Sequence, residues 1–222
     1  MKRNLTILFT FFSLFSCNSK QHEIPETTKV SEIKKKANLS IDSFLLRETF
    51  NQVDNPSNEF LTTSLKPIRQ NFKRINSISS KDWSSVVTKD LESTNEGGDV
   101  TYYYLNKNLE KIVIKEFGET FQVLTEFYLL DKTISFVFEK SLKYNRPIYQ
   151  DSSAMKQIND DQVFNIDKSE VIEERSYFEK RKLINQLNNQ DCGSPFTDDY
   201  LKDEQIRIVN KYNRILKLEE SK

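Results

Sequence analysis

Glycine and histidine are scarce in this 222-residue chain, and their scarcity excludes several kinds of catalytic site. The glycines are Gly97, Gly98, Gly118 and Gly193. They cannot form the glycine-rich loop of a nucleotide-binding site or the G-x-S-x-G turn of a hydrolase. The single histidine, His22, leaves no Ser-His-Asp triad, H-E-x-x-H motif or histidine zinc site. We therefore predict no cofactor and no metal site, and we expect that the protein is not an enzyme.

Cysteine is also rare, and the two cysteines lie in different settings. Cys192 follows Asp191 and precedes a Gly-Ser-Pro sequence, which is typical of a loop. A nucleophilic thiol needs a base to form its thiolate, and the one histidine lies far away in the chain, so an incidental thiol is the favoured interpretation. If Cys17 is modified, Cys192 has no partner for an internal disulfide.

The first seventeen residues read as an export signal. Lys2 and Arg3 precede an apolar segment over residues 5–15, and Ser16 and Cys17 follow it. The apolar segment is too short for an uncut membrane anchor, since a spanning helix needs about 20 residues. An ordinary signal peptide is the remaining alternative, but it does not need a cysteine at the cleavage site.

The sequence Leu14-Phe15-Ser16-Cys17 resembles the lipobox of bacterial lipoprotein precursors. This resemblance implies cleavage after Ser16 and lipidation of Cys17. It also implies a location in the cell envelope, on the outer membrane, with the lipid as the membrane anchor. Several acyl chains on one cysteine hold a protein on a membrane stably, because two chains suffice where one is marginal.

Charge balance argues against a nucleic-acid partner. The chain has 33 Lys+Arg and 33 Asp+Glu, and removal of Lys2 and Arg3 leaves the rest near neutral. No large basic face is required by such a composition. The 16 phenylalanines and 9 tyrosines can build a core although the apolar fraction is only 36%.

The pattern along the chain predicts an α+β fold. We expect a signal peptide over 1–16, a lipidated cysteine with a flexible tether over 17–30, and a single domain over 31–222. Within the domain, residues 31–76 are predicted to be helical, 83–188 to form an antiparallel sheet of hairpins, and 197–218 to form a helix. A first helix is predicted over residues 30–50. The second N-terminal helix should start near residue 65, with Pro67 in its first turn and with Leu65, Ile68, Phe72 and Ile75 at helical spacing.

A seven-residue pattern recurs three times in the sheet region. It begins with tyrosine and a large residue, continues with a polar stretch, and ends with Leu or Ile, at Tyr103–Leu109, Tyr128–Ile134 and Tyr177–Leu183. This pattern predicts β-hairpins, and Asn106 and Asp131 suit tight turns better than Lys180 does. A helix over 169–188 is the alternative for the third copy; the repeat favours strands.

Two resemblances accompany this pattern. The seven-residue units resemble the Tyr-Tyr-x-Asn-Gly-x-Leu hairpins of MORN-like repeats, although their irregular spacing does not support a tandem array. The stretch from Ile68 through Trp83 to Tyr149 resembles small lipoproteins of Gram-negative bacteria that have no assigned activity. This second resemblance implies a shared fold and nothing about chemistry.

Candidate site residues are few. Tyr102, Tyr103 and Tyr104 are consecutive on a predicted strand, so they cannot all face one side of the sheet. A protein or glycan could bind the exposed ones. Sheet packing is the favoured alternative. Arg146 could bind an anionic group or pair with a nearby Glu.

The resulting hypothesis is a membrane-tethered envelope lipoprotein with a non-catalytic binding or structural role. An inhibitor or immunity-type protein directed against an envelope hydrolase or toxin is the first alternative. A carboxylate-based glycan hydrolase is the second, because two carboxylates suffice for that chemistry. Its candidates are Glu96, Asp99, Glu119 and Glu126, and their spacing selects no pair.

Overall fold

The computed structural model describes residues 62–91, 96–190 and 196–221. Within these residues the chain forms three α-helices and seven strands. The helices are α1 Thr62–Asn76, α2 Ser152–Gln157 and α3 Asp198–Glu220. The strands are β1 Ser85–Asp90, β2 Gly98–Leu105, β3 Asn108–Gly118, β4 Phe121–Leu130, β5 Thr133–Lys143, β6 Glu170–Glu179 and β7 Lys182–Asn188. Single 3-10 turns lie at Ser80–Asp82 and Ile166–Lys168.

The strands form one antiparallel sheet in sequential order, from β1 at one edge to β7 at the other. This confirms the predicted α+β fold with a meander of hairpins. Because the strands alternate in direction, the β2–β3, β4–β5 and β6–β7 turns all lie at one end of the sheet. We call this end the turn edge; its turn residues are Asn106-Lys107, Asp131-Lys132 and Lys180-Arg181.

Both faces of the sheet are covered in the described part of the chain. Side chains alternate between the faces along each strand. On one face, Tyr128 and Phe136 pack with the apolar side of α1. On the other, Phe127 and Val137 pack with Ile208 and other residues of α3. The sheet is therefore the central layer of a three-layer structure.

The predicted apolar face of α1 is confirmed, but the predicted position of Pro67 is wrong. Leu65 and Ile75 are fully buried, as the helical spacing predicts. Pro67 lies inside the helix, six residues along its described length. A proline there cannot donate to the carbonyl four residues earlier, that of Thr63. Thr63 and Pro67 are both exposed, so the missing hydrogen bond is on the solvent side of the helix and the buried face stays intact.

The C-terminal helix follows its prediction closely. The Thr197 hydroxyl oxygen accepts a hydrogen bond from the Tyr200 amide, 3.4 Å away, which caps the first turn. Ile208 and Ile215 are buried against the sheet, and the helix extends to Glu220, two residues beyond its predicted end.

The third hairpin is also confirmed, because β6 and β7 occupy 170–188. The connection between β5 and β6 contains the short helix α2, which the sequence analysis did not predict. The Asp151 carboxylate caps α2 by accepting from the amides of Ser153 and Ala154. The helix predicted over residues 30–50, the tether and the signal lie outside the described residues.

Candidate binding site at the turn edge

Three hairpins of the sheet have the same two-residue turn. Both residues of each turn have positive φ: Asn106 (49°) and Lys107 (66°), Asp131 (50°) and Lys132 (61°), Lys180 (49°) and Arg181 (70°). Positive φ at both central positions is the geometry of a type I′ turn, which matches the twist of antiparallel strands. Asn106 and Asp131 were expected to suit it. Lys180 and Arg181 adopt it as well, although they lack the residue types that favour it.

Each of these hairpins also has a register shift at the same place, just before the turn. The shift falls after Tyr103 in β2, after Tyr128 in β4 and after Tyr177 in β6. In each case the second strand has one extra residue, which is a β-bulge. The recurring tyrosine is thereby placed on the α1 face, and the residue after it on the α3 face. The sequence repeat is therefore a repeat in three dimensions.

Burial explains why the third hairpin accepts an unfavourable turn sequence. Tyr177 and Phe178 are 1% and 2% exposed, and Leu183 across the turn is 2% exposed. A one-residue change of turn length would shift β7 relative to β6 and move Leu183 to the wrong face, because strand side chains alternate with a period of two. Core packing thus determines the register, and the two turn residues adopt positive φ as a consequence.

The second residue of every repeated turn is basic and exposed. These residues are Lys107, Lys132 and Arg181. Equivalent turns are two strands apart, so their backbones are spaced by roughly 10 Å along the turn edge. Within the described part of the chain, none of the three side chains forms an ion pair.

Helix α3 lies across the strands of the sheet. Near its beginning, the Gln205 side-chain oxygen accepts a hydrogen bond from the Leu183 amide of β7, 2.9 Å away. Near its end, the Tyr102 hydroxyl of β2 donates to the Ile215 carbonyl, 2.8 Å away. The helix therefore leaves a groove between its own flank and the turn edge.

Two adjacent cavities make up this groove. Cavity 1 has a volume of about 380 Å³, and cavity 2 has about 300 Å³. Lys132 and Tyr212 line both, so they form the boundary between the two. The remaining lining of cavity 1 is Thr133, Ile134, Phe178, Arg181, Gln205, Val209 and Asn213. The remaining lining of cavity 2 is Tyr104, Lys107, Asn108, Leu109, Leu129, Leu216 and Glu219.

The floor of the groove is apolar. Leu129 and Phe178 are each 2% exposed, although both line a cavity. The Tyr212 ring lies over the floor, 5.5 Å from the Phe127 ring. Burial raises the pKa of the Tyr212 hydroxyl, so this group stays neutral at physiological pH. The site therefore combines basic groups at its rim with an uncharged floor.

The opposite flank of α3 has a very different character. There the Lys211 ammonium lies 2.8 Å from a Glu116 carboxylate oxygen and 3.4 Å from one of Glu139. Arg207 pairs with Glu139 and with Glu174, at 3.2 and 3.3 Å. Charges on this flank neutralise each other, whereas the basic groups of the turn edge have no ion-pair partner among the described residues.

The pKa values of two carboxylates in this network, Glu139 and Glu174, are shifted in opposite directions. Burial opposes ionisation of Glu139, but Lys211 and Arg207 outweigh it, so the pKa of Glu139 lies below its usual value. Burial and the nearby charge of Glu139 raise the pKa of Glu174, and Arg207 offsets this only in part. The network thus favours the ionised form of Glu139 and disfavours the ionised form of Glu174.

The three consecutive tyrosines all have packing partners. Tyr102 is fully buried on the α3 face, and burial together with the charge of Glu219 raises its pKa to about 12. Tyr104, on the same face, donates a hydrogen bond to Glu219. Tyr103 is half-buried on the α1 face, where its ring lies 5.2 Å from that of Trp83. A partner cannot reach Tyr102 in this arrangement; binding through Tyr103 or Tyr104 stays a prediction.

Arg146 lies far from these tyrosines in the fold, at the opposite end of the sheet. It donates hydrogen bonds to the Asp160 carboxylate at 3.2 Å and to the Gln162 side-chain oxygen at 2.9 Å. Pairing with a nearby Glu was one of its two predicted roles; its observed partners are an Asp and a Gln instead. Its binding of an anionic ligand stays a prediction.

The predicted carboxylates are distributed over different environments. Glu126 is fully buried and lies 3.1 Å from the ammonium of Lys111, which is also fully buried. Asp99 lies 3.5 Å from Lys115 on the surface of the sheet. Glu119 is in the β3–β4 turn. The described residues hold no cluster of three or more potential metal-binding side chains.

The remaining predicted features fall outside the described residues. These include Cys17, His22 and Cys192. Among the described residues, no helix has the length and apolar character needed to cross a membrane.

The residues of the groove were not predicted from the sequence. One signal could have revealed part of it, because a basic residue occupies the fifth position of each seven-residue repeat. Tyr212 and Val209 carry no comparable signal. Their place in the groove depends on how α3 packs on the sheet.

Comparison with known proteins adds no relative. No family model, curated protein or solved structure matches this chain.

Proposed function

We propose that this protein is a lipoprotein of the cell envelope, anchored to the outer membrane through lipid on Cys17, and that its domain has a non-catalytic binding role. The proposed lipid anchor rests on the sequence Leu14-Phe15-Ser16-Cys17, which follows a short apolar segment. The polar residues 18–30 supply a tether between the lipid and the domain.

The arrangement of the domain supports a binding role. Charged residues on the sheet and on one flank of α3 are largely paired, as Lys211 with Glu116 illustrates. At the turn edge, basic residues without ion pairs within the described chain border a pair of apolar cavities. Concave sites with apolar linings and a few converging polar groups are the usual form of a ligand site.

Metabolic labelling with a radioactive fatty acid tests the anchor. We expect label on the wild-type protein and its recovery with the membrane fraction. Cys17→Ser should carry no label and should leave the membrane fraction. Cys192→Ser is the matched control, because it removes the other cysteine and should keep both label and location. Equal labelling of the Cys17→Ser variant would overturn the proposal.

An inhibitor or immunity-type role is the second candidate, and strand β1 favours it. β1 is an edge strand, and its Val86 and Val87 are 48% and 38% exposed. An exposed edge can accept a strand from a partner protein. Cross-linking in the envelope should then recover one stoichiometric partner, and Val86→Lys with Val87→Lys should abolish its recovery. Unchanged recovery would exclude β1 as the contact.

A further inference from the structure

We propose that the groove between α3 and the turn edge binds a single-chain anionic amphiphile. Its carboxylate head would lie in cavity 1, beside Lys132 and Arg181, and its apolar chain would extend over the floor into cavity 2. The inference deepens the proposed binding role and rests on it. It does not depend on lipid at Cys17, which is tested separately.

Charge distinguishes the two cavities and orients the ligand. Cavity 1 is bordered by Lys132 and Arg181, and no carboxylate lines it. Cavity 2 has Lys107 and Lys132 but also Glu219. A carboxylate head is therefore attracted to cavity 1, and Glu219 disfavours it in cavity 2.

The polar groups of cavity 1 present donors to such a head. The Gln205 side-chain oxygen already accepts from the Leu183 amide, which leaves its amide nitrogen to donate. The Thr133 hydroxyl donates to the Leu130 carbonyl, so it does not compete as a donor to the ligand. Two basic side chains and one amide nitrogen thus suit a group that only accepts, as a carboxylate does.

The apolar lining of the groove favours an inserted chain over a membrane surface. Val209, Tyr212 and Leu216 of α3 line the two cavities and are half-buried, so they present the apolar surface that an acyl chain would contact. Leu129 and Phe178 lie behind this surface and are only 2% exposed. The basic turn residues alone would suit a membrane surface, but apolar cavities beside them suit a ligand that also has an apolar chain.

An acidic peptide fits the groove less well than an acyl chain. A peptide brings amide and carbonyl groups that need partners when they are buried. The groove lies between a helix flank and hairpin turns, so it presents no strand edge along which a peptide backbone could pair. An acyl chain has no such requirement.

Calorimetric titration of the full-length chain with laurate below its micelle concentration tests the inference. Dodecyltrimethylammonium, which has the same chain and the opposite charge, and acetate, which lacks the chain, are the ligand controls. We expect saturable binding of laurate with one molecule per chain and no comparable binding of either control. Because all variants share the same N-terminal segment, a difference between variants reports on the groove.

The variants separate the head site from the floor. Lys132→Gln and Arg181→Gln should each weaken laurate binding by about tenfold, because each removes a charge-assisted hydrogen bond. Asn213→Trp should block the mouth of cavity 1 without changing its charge, and it should abolish binding. The matched control is Lys73→Gln with Lys81→Gln, which removes two exposed charges that line neither cavity. Thermal unfolding checks that each variant is folded.

Three results would overturn the inference. Equal laurate affinity in all variants would place the binding elsewhere in the chain. Binding of anionic phosphatidylglycerol vesicles, lost in Lys132→Gln, with no laurate binding would identify a membrane surface instead. Binding of an oligoglutamate peptide in place of laurate would identify an acidic peptide. None of these results bears on the lipid at Cys17, because the proposed anchor is tested by the separate labelling experiment.

Discussion

The ammonium nitrogen of Lys89, on edge strand β1, lies 2.7 Å from the backbone carbonyl oxygen of Leu218 in the last turn of α3. It also donates to the carbonyls of Glu219 and Ser221, at 2.6 and 2.8 Å. The last carbonyls of a helix lack partners within it and carry a partial negative charge. Lys89 thus supplies both hydrogen bonds and a complementary charge, and it ties the end of α3 to the sheet.

We expect Lys89→Met to destabilise the protein by about 1–2 kcal/mol, because it removes this charged cap but keeps most of the apolar stem. The midpoint of denaturant unfolding measures the effect. Lys81→Met is the control, since Lys81 is exposed and has no ion pair in the described part of the chain. If both variants shift the midpoint equally, the contact of Lys89 with α3 contributes nothing to stability.

Replacing Lys180-Arg181 by Asn-Gly should stabilise the protein by roughly 1 kcal/mol. Both positions have positive φ, at 49° and 70°, and Asn-Gly adopts this type I′ geometry with little strain. The matched control is the same replacement of Glu119-Thr120, in the β3–β4 turn, where neither residue has positive φ. A gain at both turns, measured by thermal unfolding, would show that the turn geometry is not the cause.

Phe136→Ala should cost about 3–5 kcal/mol, the usual range for removing a buried aromatic ring. Phe136 is 1% exposed, and its ring lies 5.2 Å from Phe72 and 5.1 Å from Tyr177. It therefore joins α1 to the centre of the sheet. Val86→Ala, at an exposed position on β1, should cost little. An unfolding midpoint for Phe136→Ala that equals the wild-type value would contradict the packing of α1 on this face.

Glu139 and Glu174 should have opposite effects on the pH dependence of stability. The pKa of Glu139 is lowered in the folded state, so its ionised form stabilises the fold above the unfolded pKa of about 4.3. This contribution is lost as the pH falls through the folded pKa. The pKa of Glu174 is raised, so stability is lost as the pH rises from the unfolded pKa through the folded one.

Thermal unfolding at pH 7 and pH 3 separates the effects of Glu139 and Glu174. Glu139→Gln should lower the midpoint at pH 7, and the difference from wild type should shrink at pH 3. Glu174→Gln should raise the midpoint at pH 7, and its effect should also shrink at pH 3. The Asn188 amide can still donate to the glutamine oxygen of the second variant. Shifts of the same sign at pH 7 would contradict the assigned directions.

The hairpins were predictable because their signal is local. Tyr128, Asp131 and Ile134 lie within seven residues, and a tight turn between alternating apolar residues specifies strands directly. The same reasoning places Tyr177 and Leu183 correctly, although the turn residues between them are unfavourable. Burial on both faces determines that register, and a local pattern cannot measure burial.

The groove was not predictable because it depends on contacts between distant parts of the chain. The Tyr102 hydroxyl and the Ile215 carbonyl are 113 residues apart in sequence, yet they help to fix α3 across the sheet. Lys132 and Tyr212 meet at the groove for the same reason. The error at Pro67 has a different cause. The apolar spacing of α1 predicts the buried face of the helix, but it does not predict the residue at which the helix begins.

Mass spectrometry of the mature protein's N-terminal peptide, purified from the membrane fraction, tests the lipid anchor most directly. We predict a chain that begins at Cys17, with a mass increased by the acyl groups on this residue. The N-terminal peptide of the Cys17→Ser variant, purified from whole cells, should lack this increase. A mature chain that begins at another residue, or that begins at an unmodified Cys17, would contradict the central claim.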